Sequence, residues 1–291
     1  MKSKKQGKEH TFLLSFDVEE FTVPQEQKGS LTKEEREAVF EVGAEGLKKC
    51  ISILKQHGIV ATCFCTAEFV KKYPELIREL YSMNCEIALH GFAHKDHYES
   101  MDETTALSLL VKAKQEIEKR VQCKIQGFRG PGFRVPKPVV LEDLGIVYDS
   151  SVHPTYIPTK YNHITQSRKV QKYGAIVEIP ISVVPVIGLP FSWLWFRNFP
   201  LLYAKCCTVL NTATSDFTLL YFHPWEFADL KKQEWGCRGF LWNLTIRNTG
   251  KAMEQKLENY IIWAKERGKF KTIISYLHEN EIIKNKEYVV R

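Results

Sequence analysis

Short apolar runs alternate with longer amphipathic stretches over almost the whole chain. Thr11 to Phe16 is an unbroken apolar run of strand length. Leu31 to His57 then places Val39, Val42, Leu47, Ile51 and Leu54 at helical spacing, with Gly58 as the stop. VATCFC predicts a second strand, and Thr66 a cap for a helix running toward Met83. EIAL predicts a third strand, and Asp102 caps a helix to Val121. IQGFRG and GIVYDSS read as strand-then-loop units. IVEIPIS, with Glu178 inside it, and FTLLYF are further strands. Met253 to Arg267 is a late helix, and TIISYL is expected as a final strand. Seven or eight such units in one domain (residues 11–291) predict an α/β fold, a distorted (β/α)7 barrel, with a doubly wound sheet as the alternative.

Residues 1–10 break the pattern: MKSKKQGKEH is polar and basic and is expected to be a loose arm. It has no apolar core of the kind a signal peptide needs. The segment from Val183 to Tyr203 breaks it differently. It gathers Phe191, Trp193, Trp195, Phe196 and Phe199 among three prolines. The prolines and Arg197 argue against a membrane-spanning helix. The segment is therefore an aromatic-rich insertion, either packed on the barrel or forming a patch beside a site; Trp235 and Trp242 add to it or serve only as packing.

Composition narrows the partners. A net charge of +7 over 291 residues is moderate, and no basic patch interleaved with aromatics suggests nucleic acid. A basic rim favours an anionic substrate. Eight cysteines without a C-x-x-C pair suggest packed thiols in a reducing, cytoplasmic setting, with at most peripheral membrane contact. Oligomeric state leaves no signal.

The candidate chemistry sits at the ends of the strand-like runs. His90 and His94 follow EIAL, and a helical turn would put them on one face. Asp17 and Glu19 follow the first run with a period of two, so an extended segment points both the same way. His223 follows FTLLYF. Two imidazoles and a carboxylate are a common hydrolytic metal set, leaving a carboxylate and a histidine as base and acid.

In these segments the chain resembles the polysaccharide deacetylases of the NodB-homology type, carbohydrate esterase family 4. The resemblance runs from about Thr11 to Phe227. Where that family commonly has T-F-D-D-G, this chain has Ser15-Phe16-Asp17-Val18-Glu19. Asp17 matches the base. Val18 cannot bind metal, so Glu19 is the implied ligand and Glu20 the weaker candidate. H-[ST]-x-x-H matches His90 and His94, with Gly91 at the Ser/Thr place. FRGPGFR supplies Arg129, implied to orient Asp17, and a turn at Gly130, Pro131 and Gly132 that could bring backbone N–H groups near an oxyanion. Asp149, in Tyr148-Asp149-Ser150-Ser151, is the implied partner of the acid His223. Val152 stands where the family has Trp, and Trp225 is the candidate replacement. Pro131, Gly132, Tyr221 and Trp225 are the implied substrate contacts.

The resemblance implies one divalent metal per chain, with zinc expected, and hydrolysis of an N-acyl group (N-acetyl first) from an amino sugar in a polysaccharide, oligosaccharide or lipid-linked glycan. Iron, cobalt or nickel would suit the donors too. Three alternatives stay open: a deformylase of a lipid-phosphate-linked amino sugar, a metal-independent hydrolase of cyclic amides resembling allantoinases, and a non-catalytic carbohydrate-binding protein.

Overall fold

The computed structural model describes residues 9–157, 161–232 and 234–283. Its strands are β1 (His10–Val18), β2 (Thr62–Cys65), β3 (Glu86–Leu89), β4 (Gly127–Phe128), β5 (Tyr148–Asp149), β6 (Tyr156–Ile157), β7 (Tyr161–Asn162), β8 (Gln171–Tyr173), β9 (Ile176–Glu178), β10 (Phe217–Phe222) and β11 (Gly268–Lys271). The main sheet runs β10-β1-β2-β3-β4-β5-β9, parallel throughout, with β8 antiparallel on the outside of β9. It curls until its ends meet. Ser182, just past β9, donates its N–H to Leu219 O (3.0 Å), and Leu219 N–H donates to Ser182 Oγ (2.9 Å). Among the described residues this is the expected distorted barrel: seven parallel strands form the ring, β11 adds a further parallel strand on β1, and one backbone and one side-chain bond close it in place of a regular ladder.

Strand parity explains the two cores. Phe12, Leu14, Phe16, Cys63, Cys65, Ile87, Leu89, Leu220 and Phe222 pack outward under the helices. Their neighbours Leu13, Phe64, Ala88, Tyr148, Val177, Leu219 and Tyr221 fill the inside. The strands are buried on both faces, which is why they read as continuous apolar runs.

Most predicted elements fall in place. The long helix is Lys33–His57, opened by a capping box between Thr32 and Glu35 and closed at Gly58. Thr66 and Asp102 both cap as expected. The helix toward Met83 is split into Ala67–Lys72 and Pro74–Ser82, because Pro74 forces Tyr73 out of helical geometry (φ −130°, ψ 56°). The first strand starts at His10, one residue inside the expected arm; residues 1–8 of that arm lie outside the described residues.

TIISYL is a helix, not a strand. Thr272 caps Ile273–Glu279, and Ile273, Ile274, Tyr276 and Leu277 enter the inner core at helical spacing. This helix closes the floor of the barrel. Ile273 N–H donates to Thr62 Oγ1 and Ile274 N–H to the buried Glu86, which also accepts from Tyr148 Oη (2.6 Å) and Thr62 Oγ1 (2.8 Å).

The aromatic insertion divides its residues. Phe191 and Phe196 are buried, Phe199 is exposed, and Trp193 turns toward the mouth of the barrel. Trp235 and Trp242 pack around Phe21 together with Trp225. No helix among the described residues is long and apolar enough to cross a membrane.

Candidate active site

Inward parity carries β1 upward through Leu13, Ser15 and Asp17 to Glu19, β3 through Glu86 and Ala88 to His90, and β10 through Leu219 and Tyr221 to His223. Arg129 follows β4 and is fully buried. Its Nη1 donates to Asp17 Oδ1 (2.7 Å) and Ser15 Oγ (3.0 Å), and Nε and Nη2 donate to Ser150 O and Oγ. Phe64 lies 4.1 Å under the guanidinium. Burial alone would raise the Asp17 pKa. The charge of Arg129 outweighs it, with His90 and His223 assisting, and the carboxyl is held below its ordinary value. Asp17 is thus an ionised carboxylate fixed in one orientation, as the sequence implied.

Glu19 meets the imidazoles. Its Oε2 lies 3.2 Å from His90 Nε2, and its Oε1 lies 3.7 Å from His94 Nε2 and 3.9 Å from His223 Nε2. The histidine pair does not form a helical turn; HGFAH is irregular. Gly91 makes the convergence possible, since its φ is +83° and an added Cβ would meet the Tyr98 ring at 2.7 Å. A Ser or Thr in this backbone conformation would clash with Tyr98. Glu20 points elsewhere, toward Glu68, Arg36 and Lys95, and burial raises its pKa to about 7.

Two observations test whether these residues suit a metal ion. Two donors on one tetrahedral zinc lie roughly 3.4 Å apart, close to the spacings around Glu19. His90 Nδ1 lies 2.7 Å from Arg129 O, so that nitrogen carries the proton and Nε2 presents its lone pair toward the carboxylate. Two electron-rich atoms facing each other are what a cation bridges. Among the described residues, no three such side chains already enclose a common point; the donors converge in pairs on Glu19. The donor set therefore fits Glu19, His90 and His94 as ligands.

His223 is backed by Glu226, not Asp149. Glu226 Oε1 accepts the His223 N–H (2.8 Å) and lies 3.4 Å from its Nδ1. Glu226 in turn pairs with Arg197, whose Nε and Nη2 donate to Arg247 O and Thr245 O. All of Arg197 and Glu226 is buried. Asp149 is occupied with Ser151 and with Glu178. Burial raises the pKa of both carboxyls, and the Asp149 charge raises that of Glu178 further. Asp149 ends β5, beside β4 rather than β10, so its carboxylate supports the Arg129 turn: it accepts from Ser151 Oγ, which accepts the Gly130 N–H. That bond also removes Gly130 as an oxyanion donor.

The residues open into a cleft of about 460 Å³ walled by Gly132, Phe133, Tyr161, Trp193, Tyr221 and Trp225. Pro131 is buried and not part of the wall; its neighbours Gly132 and Phe133 take that place. Trp225 stacks on His223 (5.0 Å, 24°), and Trp193 meets it edge-on at 5.5 Å. Glu226 and the role of Arg197 were missed from sequence, whereas Trp193 was named only within the aromatic insertion. The signals existed: Glu226 stands at the third position of a turn opened by His223-Pro224, and Arg197 is the sole charge in the aromatic insertion. A larger open depression, about 1000 Å³, lies at the floor end around His10, Asp216 and Tyr276 and holds none of these groups.

The long helix sets the two strand ends against each other. A Cβ on Gly43 would lie 2.6 Å from Glu19 O, and one on Gly46 would lie 1.7 Å from Pro224 O. Only bare backbone lets both loops approach so closely.

A polysaccharide deacetylase family model matches residues 28–148, and a domain of unknown function, DUF3473, matches residues 150–284. Asp17 and Glu19 precede both matches. No match to a curated protein was found. Among solved structures, a protein assigned as a polysaccharide deacetylase from Mycobacterium smegmatis is 16% identical, with TM-score 0.66 over 99% of this chain and 96% of that one. Puue allantoinase is also 16% identical (TM-score 0.62, 96% and 94% covered). A carbohydrate esterase family 4 pseudoenzyme from Bacillus anthracis is 14% identical (TM-score 0.52, 92% and 66% covered). These likenesses carry the fold. The DUF3473 segment is no separate unit here: it supplies β9, β10 and β11, closes the barrel against β1, and contributes His223, Glu226 and Arg197. The two matched segments build one barrel, and over residues 28–148, which hold His90, His94 and Arg129, the chain is similar to the polysaccharide deacetylases, hydrolases of carbon–nitrogen bonds.

Proposed function

We propose that this chain is a metal-dependent N-deacylase that removes the acetyl group from an amino sugar within a glycan. The observation that carries the proposal is the convergence of His90 and His94 Nε2 on the Glu19 carboxylate beside an Asp17 locked by Arg129. Glu19, His90 and His94 are the proposed ligands of one divalent ion, zinc being the expected one. When bound, such an ion polarises the acyl carbonyl and lowers the pKa of water.

The rest is the work of side chains. Asp17, ionised by Arg129, takes the proton of the attacking water. His223 delivers a proton to the departing amine, its ring held between Trp225 and Trp193 with Nδ1 beside Glu226 Oε1, which also accepts the His223 backbone N–H. Tyr221, Trp225 and Phe133 give the cleft apolar walls against which a sugar ring packs. A cytoplasmic setting is proposed from eight cysteines that are all free thiols. The proton-transfer set argues against a purely binding role, and the imidazole cluster against a metal-free amidohydrolase.

The test is elemental analysis of wild type, His94→Ala and His223→Ala, with amine release from N-acetylated and N-formylated oligosaccharides. About one ion per chain, lost in His94→Ala and kept in His223→Ala, with amine released only by wild type, is the expected result. A wild type that takes up no metal when zinc is supplied sinks the proposal.

A further inference from the structure

From Ser150 to Ser215 the sequence holds a single acidic residue, Glu178, and six basic ones. Glu178 is buried beside Asp149, so this stretch of the chain offers no surface carboxylate of its own. The same stretch carries the most exposed apolar loop. Val186 is 88% exposed, Ile187 58% and Leu189 47%. The loop is held in that shape. Val183 bridges Pro190, Val184 N–H donates to Leu189 O, and Gly188 N–H donates to Val184 O. Val186 has φ +69°, a conformation that a β-branched residue adopts only under strain, with Ile187 N–H closing onto Pro185 O. A strained turn that holds a valine out in solvent calls for a use.

Its neighbours are apolar or basic. Arg168 Nη2 donates to Val186 O, and Gly188 packs on Ile164, itself 44% exposed. Lys169 and Lys172 are exposed on the adjoining strand segment. On the other side Tyr203 Oη donates to Pro190 O, joining the loop to the exposed Phe199 and Leu202. Trp193 of the cleft lies four residues beyond Leu189.

We infer that this face docks the protein on an anionic lipid bilayer, with Val186, Ile187 and Leu189 entering the headgroup–acyl boundary and Arg168, Lys169 and Lys172 meeting lipid phosphates. Apolar tips with cations beside them, on a segment that brings no surface carboxylate of its own, are the pattern of interfacial attachment. A protein partner of acidic character would not require an exposed valine on a strained turn.

The experiment is co-sedimentation of the full chain with vesicles of phosphatidylcholine alone or equimolar with phosphatidylglycerol, at low and high salt. Binding is expected to the anionic vesicles only and to weaken with salt. Val186→Asp with Ile187→Asp is expected to abolish it, and each of Lys169→Ala and Lys172→Ala to weaken it about fivefold. Melting curves and metal content of these surface variants should match wild type, which separates this test from that of the catalytic proposal. Failure to bind anionic vesicles, or undiminished binding by the variants, overturns the inference. So does a dimer in solution that Val186→Asp dissolves, which would assign the face to a second copy; the lysine variants decide the matter should the aspartates fail to fold.

Discussion

The floor and the mouth of the barrel both bury carboxylates inside the same ring of strands, and they treat them in opposite ways. At the floor, Glu86 is surrounded by neutral donors: a phenol, a hydroxyl and a helix amide. Burial raises its pKa, and nothing cationic opposes that. At the mouth, Asp17 is gripped by a guanidinium and Glu19 is faced by imidazoles. Burial of a carboxylate is therefore no sign of chemistry in itself; what distinguishes the reactive end is charge opposite the carboxylate and a cleft above it.

Substitutions at each end should separate accordingly. The largest effect is expected from Asp17→Asn, which leaves shape but removes the base. kcat/KM should fall on the order of a thousandfold, and Tm should fall too, because the buried Arg129 loses its counter-charge. Arg129→Met should disturb both function and fold, since removing one partner of a buried pair costs about 3–5 kcal/mol in urea unfolding. It also has a pH signature. Asp17 is held low in the folded state, so its stabilising contribution is present above the ordinary carboxylate range and is lost as pH falls through the folded value. Without Arg129 burial goes less opposed, Asp17 stays protonated to higher pH, and the acid limb of the kcat/KM profile should move upward.

Glu226→Gln comes next. The His223 ring loses its anionic neighbour, and kcat should drop roughly 10–100-fold with KM nearly unchanged, which separates positioning of the acid from sugar binding. Least of all, Glu86→Gln at the floor should leave activity within about a factor of two and stability within about 1.5 kcal/mol at neutral pH. Because the Glu86 pKa is raised, the wild type forgoes stability as pH climbs above the ordinary carboxylate range; the glutamine variant should lack that dependence. A catalytic collapse in Glu86→Gln would erase the distinction between the two ends.

Much of the mouth was legible in the chain because strand parity is a local rule. Asp17 and Glu19 follow from a period of two, and each motif residue sits where an apolar run ends. The acid's partner was not legible, because Asp149 and Glu226 are both carboxylates near the right strands and only tertiary geometry shows which reaches His223. TIISYL misled for a related reason: a run of six residues is too short for its period to separate a strand from one and a half helical turns. The insertion resisted reading since proline-rich aromatic sequence has no period at all. Its one charge, Arg197, was noted only as an obstacle to membrane crossing, whereas it anchors Glu226.

The central position of β1 has a consequence for how the molecule assembles. Ser15 bonds to Leu220 across 205 residues of chain, and β11 pairs with β1 from farther still. The strand that carries the base is made first, yet two of its three neighbours are made last. Loop-closure entropy for such pairings must be met before they stabilise anything, so folding is expected to be slow, with β1 acquiring order late. During synthesis on a ribosome, an apolar strand with open edges would wait through most of translation, exposed to wrong pairing and to chaperones. Truncation before Phe217 should yield not a smaller enzyme but an aggregating chain.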